Sequence, residues 1–158
     1  MSVQYLVFVH HPFLGKTGGE IVSGLLLGSL TGLIACGALR VSQRAPLLVS
    51  VSSVCAGIYF GFAMLSTGVT VLIQESLVTA FFIVAGATKG IEGIKSACGL
   101  LLLHAVYDLC IWAGVLPVCA HAPPQWPLFC AAYDVALSIL LAPVFTKTAQ
   151  PLPRGKKS

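Results

Sequence analysis

Residues 100–112 read LLLLHAVYDLCIW, four leucines running into His104 and, one helical turn later, Asp108. Side chains four apart lie on the same face of a helix, about 6 Å between their Cβ atoms, so this imidazole and carboxylate can share a proton or a metal ion. The flanking apolar run extends from Lys95 to Val115, about the 20 residues that cross a hydrocarbon core. Ionisable groups inside such a span are costly and mark functional sites by default.

The rest of the chain repeats the apolar pattern. Of 158 residues, 57% are hydrophobic and 9% charged, which lies outside the composition of soluble globular domains and makes this an integral membrane protein. Five spans are expected: Ile21 to Leu39, Pro46 to Leu65, Gly68 to Thr88, Lys95 to Val115, and Pro127 to Thr146. Backbone groups in lipid must be hydrogen-bonded within their own segment, so the fold class is all-α, one polytopic bundle over residues 21–146. Residues 1–20 form an interfacial segment too short to span before Pro12 and the Gly18-Gly19 pair. Residues 147–158 are a basic tail.

Orientation follows from the nine Lys and Arg residues. Arg40 and Arg44 fall between spans 1 and 2, Lys89 and Lys95 between 3 and 4, and Lys147, Arg154, Lys156 and Lys157 after span 5. Only Lys16 falls on the other side. The positive-inside rule then puts the amino terminus outside and the tail in the cytoplasm, in a bacterial inner membrane, or on the matrix or stromal side in an organelle. The net charge of +4 is accounted for by orientation and by attraction of the tail to anionic lipid, with no nucleic acid required. Residues 1–12 lack the basic start of a secretory signal, so no cleavage is expected.

Gly24, Gly28 and Gly32 recur every four residues in span 1, a stripe that lets another helix approach closely. An internal partner is expected there, with a homo-oligomer through the same stripe as the alternative. Gly57 and Gly61 repeat the device in span 2, where Ser50, Ser52 and Ser53 read as scaffold bonding their own helix. Tyr59, Trp112 and Trp126 read as interfacial anchors. His10 and His11 point to different sides of any regular element and read as solvated imidazoles. Cys36, Cys55 and Cys98 read as small packing residues, whereas Cys119 and Cys130 flank the last loop and are disulfide candidates on an oxidising side.

The spans also place acids together. Counted inward at 1.5 Å per residue, Glu75, Asp108 and Asp134 lie roughly 10 to 12 Å below the outer boundary, with His104 about one turn deeper. An unpaired acid near mid-span costs about 2.5 to 3.5 kcal/mol on insertion scales, so the three acids are expected to converge. With no Lys or Arg at that depth, protons, a cationic His104 or a bound cation must balance them. Three functions compete. Glu75, His104, Asp108 and Asp134 as ligands of a divalent metal ion would support a membrane-embedded hydrolase of a lipid-borne bond. The same groups as a relay would bind a cation or proton for transport. As hydrogen-bonded neutral groups they would make a structural or accessory subunit. Tyr107 and Tyr133 point about 100° away from the aspartates that follow them and read as packing residues.

The run from Glu75 to Asp134 resembles an uncharacterised family of small bacterial membrane proteins, a domain of unknown function. Its pattern is a Trp-Glu pair, a helix reading HxxWD, two histidines, a proline and GCxxxD. Here Gln74-Glu75, His104 to Asp108 with Tyr107 for the tryptophan, Pro117, and Cys130 to Asp134 with Phe129 for the glycine stand at those places. Ile111 and Trp112 stand where the family has its histidine pair. The resemblance implies the positions of the site and no particular reaction, and the missing histidines favour relay or structure over catalysis.

Overall fold

The computed structural model describes residues 17–65, 68–90, 93–116 and 122–142. The described chain is all-helical: α1 Thr17–Ala38, α2 Val41–Met64, α3 Val69–Ala85 continued by one π-helical turn Gly86–Gly90, α4 Ile94–Trp112 and α5 Trp126–Leu141. The first four are long and apolar enough to cross a membrane, and α5 is a shorter apolar helix. At 1.5 Å per residue its 16 residues cover about 24 Å. Residues 17–20 of the expected interfacial segment, Gly18 and Gly19 included, are the first turn of α1, whereas residues 1–16, Pro117, Cys119, Pro143 and the basic tail lie outside the described residues.

Helix ends differ from the hydropathy boundaries for local reasons. α2 starts five residues before Pro46 because the backbone N–H of Arg40 donates to Gln43 Oε1 at 3.0 Å, and the Gln43 N–H to the Arg40 carbonyl at 2.9 Å. Pro46 therefore sits inside the helix, where it forfeits one backbone bond near the beginning. α4 stops three residues before Val115. Gly114 takes the left-handed backbone (φ 72°), and the N–H groups of Gly114 and Val115 turn back to the carbonyls of Ile111 and Cys110. This is the glycine-terminated helix end that a side chain at residue 114 would strain.

Packing runs in the order α1, α5, α4, α2, α3. Gly24, Gly28 and Gly32 meet α5: a Cβ on Gly24 would lie 2.4 Å from the Phe129 carbonyl oxygen, and one on Gly28 2.5 Å from that of Tyr133. Gly32 faces Leu140 and Leu137. The contacts advance in step along both helices, so α1 and α5 run parallel. The glycine stripe thus serves an internal partner, and a second copy using it would have to displace α5. Gly86 allows a further close approach, since a Cβ there would stand 2.7 Å from Val49 Cγ1 of α2.

The two ends of the bundle differ. Where α1 and α5 finish and α2 and α4 begin, Ala35, Ala45, Leu48, Ile94, Ala97, Leu101, Leu137 and Leu141 form a buried apolar cluster. Arg44, which reads from sequence as a loop residue, lies in α2 and is 7% exposed. Its Nη2 donates to the carbonyls of Cys36 at 2.8 Å and Leu39 at 3.3 Å. The cation thus satisfies the final carbonyls of α1, where the helix dipole is negative. The opposite end holds the polar groups.

Candidate functional site

Glu75, His104, Asp108 and Asp134 are all fully buried. From the nearest helix end at the polar side, Asp108 is four residues in, Glu75 six, and His104 and Asp134 eight each. That is about 6 to 12 Å of helix, one shallow layer in which His104 lies no deeper than Asp134, instead of a turn below all three acids as the span arithmetic has it.

α4 supplies two of the groups and α5 brings the third to them. His104 Nδ1 stands 2.8 Å from Asp134 Oδ2 and 3.2 Å from Asp108 Oδ2. A bare imidazole nitrogen and two carboxylate oxygens would present only lone pairs to one another. A proton or a cation therefore belongs among the three atoms. His104, Asp108 and Asp134 each offer a ligand atom within 4.8 Å of the others, a grouping able to hold a metal ion. Ligands bonded at about 2.0 to 2.2 Å in a tetrahedral shell are themselves roughly 3.3 Å apart, so the spacing suits one small ion. His104 Nε2 and Asp134 Oδ1 are buried without a hydrogen-bond partner among the described residues, and Asp108 Oδ2 has none there beyond the approach of His104 Nδ1.

Tyr59 orients this group. It reads from sequence as an interfacial anchor, yet it is 1% exposed and its hydroxyl donates to Asp108 Oδ1 at 2.8 Å. The anchor reading fails because α2 packs against α4 and turns this face inward. Nothing in the sequence distinguishes a tyrosine near a span end that faces headgroups from one that faces a carboxylate. His104 is further held edge-on by Phe82, with ring centroids 5.1 Å apart.

Glu75 stands apart from the three. It is buried at the same end but is not part of the His104, Asp108 and Asp134 grouping. Its Oε1 accepts from the Tyr107 hydroxyl at 2.8 Å, and Gln74 Nε2 donates to the Tyr107 oxygen at 3.2 Å and to Glu75 Oε1 at 3.5 Å. The 100° offset that turns Tyr107 away from the Asp108 face turns it toward α3. Tyr107 is a polar partner as well as a packing residue.

The thiols have ordinary surroundings. Cys36, Cys55, Cys98, Cys110 and Cys130 are free, and Cys130 meets Cys55. Cys119, the other half of the disulfide expectation, lies outside the described residues. An apolar cavity of about 340 Å³ opens between α1, α2 and α5, lined by Val54, Cys55, Trp126, Phe129 and Cys130 among others.

The chain matches no known protein family, no curated protein and no solved structure.

Proposed function

We propose that this chain is a multi-pass membrane protein, amino terminus outside, that binds a cation in place of protons at His104, Asp108 and Asp134. The observation that carries the reading is one imidazole nitrogen 2.8 and 3.2 Å from two carboxylate oxygens in a fully buried setting. The described basic residues, Arg40, Arg44, Lys89 and Lys95, are all at the other end of the bundle. No Lys or Arg at that end among the described residues competes for these acids.

One nitrogen with carboxylate oxygens is a donor set for zinc, manganese or iron. Binding needs the ligands deprotonated, so uptake releases protons and weakens as pH falls. Parallel packing of α1 and α5 fits an odd number of crossings, and the distribution of basic residues fits a cytoplasmic, matrix or stromal tail. The family resemblance points to Glu75, His104, Asp108 and Asp134, of which the last three form the group that could hold a metal ion. The membrane is a bacterial inner membrane or an organelle membrane.

A second reading has a specific observation behind it. Three protein ligands leave a fourth position open on a tetrahedral ion, the arrangement in which metal-bound water becomes a nucleophile near neutral pH. That arrangement suits a membrane-embedded hydrolase.

Elemental analysis of the detergent-purified protein beside Asp108→Asn tests the site. One transition metal per chain, lost in the variant, is the expected result. Equal metal content in both would refute it. Cation flux in liposomes then separates transport from hydrolysis, since flux abolished in His104→Ala supports the former.

A further inference from the structure

The three-ligand group is enclosed. Tyr59 and Phe82, which contact it, are at most 2% exposed, as are Leu101, Ala105 and Leu137 within a turn of it along α4 and α5. The apolar cavity near Cys130 has Ser50, Tyr133, Trp126 and two thiols among its lining and no carboxylate or amide side chain. The seam between α3 and α4 is different. These two helices are not among the closely packed pairs, and what crosses between them is Gln74, Glu75 and Tyr107. Gln74 and Tyr107 are partly exposed, whereas Glu75 is fully buried. They begin about 7 to 8 Å in from the ends of α3 and α4. Glu75 Oε2 is buried and has no partner among the described residues.

We infer that Glu75, with Tyr107 and Gln74, is a separate carboxylate station through which the cation enters and leaves the His104, Asp108 and Asp134 group. The ion trades hydration for the amide and phenol oxygens at the mouth of the seam, then for the carboxylate. A dehydrated ion crossing apolar surroundings without such a partner meets a desolvation barrier. Glu75 lowers that barrier and is absent from the final ligand set. It acts on the rate in both directions and leaves the equilibrium nearly untouched. The inference rests on the cation site proposed above.

Stopped-flow absorption with Co²⁺ as the probe, on the detergent-purified full chain, reads both rates. Glu75→Gln is expected to slow Co²⁺ entry about tenfold or more. Release into excess chelator should slow in proportion, leaving the dissociation constant within about threefold. Tyr107→Phe should do the same to a smaller degree, and it carries the test if Glu75→Gln does not fold. A weaker dissociation constant with unchanged entry rate would make Glu75 a ligand and overturn the inference, as would wild-type rates in both variants. Failure of the underlying site looks different. Wild-type protein would then take up no Co²⁺, or His104→Ala would take up as much as wild type.

Discussion

The seam between α1 and α5 and the polar layer that joins α4 and α5 to α2 and α3 are both buried, yet they follow opposite rules. In the seam packing dominates, with one side-chain hydrogen bond between Tyr133 and Thr31 beside it. Glycine hydrogens face carbonyl oxygens and apolar side chains at distances no Cβ tolerates, and no carboxylate or imidazole of the buried polar group lies there. In the polar layer four ionisable groups are buried, and several of their atoms lack hydrogen-bond partners among the described residues. A membrane bundle needs the first kind of region to hold together. It does not need the second, which is the physical reason for assigning function there.

Breaking the seam should have the largest effect. Gly28→Leu forces a side chain where a Cβ alone would sit 2.5 Å from the Tyr133 carbonyl. Overpacking at backbone distance costs about 3 kcal/mol, so thermal unfolding in detergent should fall sharply whether or not cation is present.

Erasing the polar layer sharpens the contrast from the other side. The combined variant Tyr59→Phe, His104→Leu, Asp108→Val and Asp134→Val removes the three-ligand group together with its phenol donor and leaves Glu75 on its Tyr107 and Gln74 partners. Its stability should match the wild type or exceed it by about 1 to 2 kcal/mol, with cation binding gone. Marked destabilisation in the same melt would show the layer to be structural.

Smaller effects test the supporting contacts. Arg44→Met strips the final carbonyls of α1 of their donor and should cost about 1 kcal/mol without altering cation affinity. Thr79→Val removes the hydroxyl donated from α3 to the Ala56 carbonyl of α2 at 3.0 Å. About 0.6 kcal/mol is expected, as for interhelical hydrogen bonds in membranes generally. Equilibrium unfolding in mixed detergent resolves both.

Much of this was legible in the sequence because lipid imposes strict rules on it. Apolar runs gave five helices, the four-residue glycine spacing gave a close helix contact, and span arithmetic placed Glu75, Asp108 and Asp134 in one layer with His104 about one turn deeper. What escaped was set by helix rotation. Hydropathy records how deep a residue lies and not which neighbour it faces, so Tyr59 looked like an anchor and Glu75 like a fourth ligand. The turn of α3 toward Tyr107 separates Glu75 from the others, and the inward turn of α2 gives Asp108 its phenol donor. Arg44 was hidden similarly: a cation near a span end reads as a loop charge until the early start of α2 carries it under the last turn of α1.

X-ray absorption spectroscopy of the Co²⁺-loaded protein tests the central claim most directly, because it counts the donor atoms. The account predicts one imidazole nitrogen near 2.0 to 2.1 Å with oxygens at about 2.0 to 2.2 Å, and loss of the imidazole signature in His104→Ala. A sulfur shell near 2.3 Å, drawn from Cys55 and Cys130, or a spectrum that His104→Ala leaves unchanged, would contradict it.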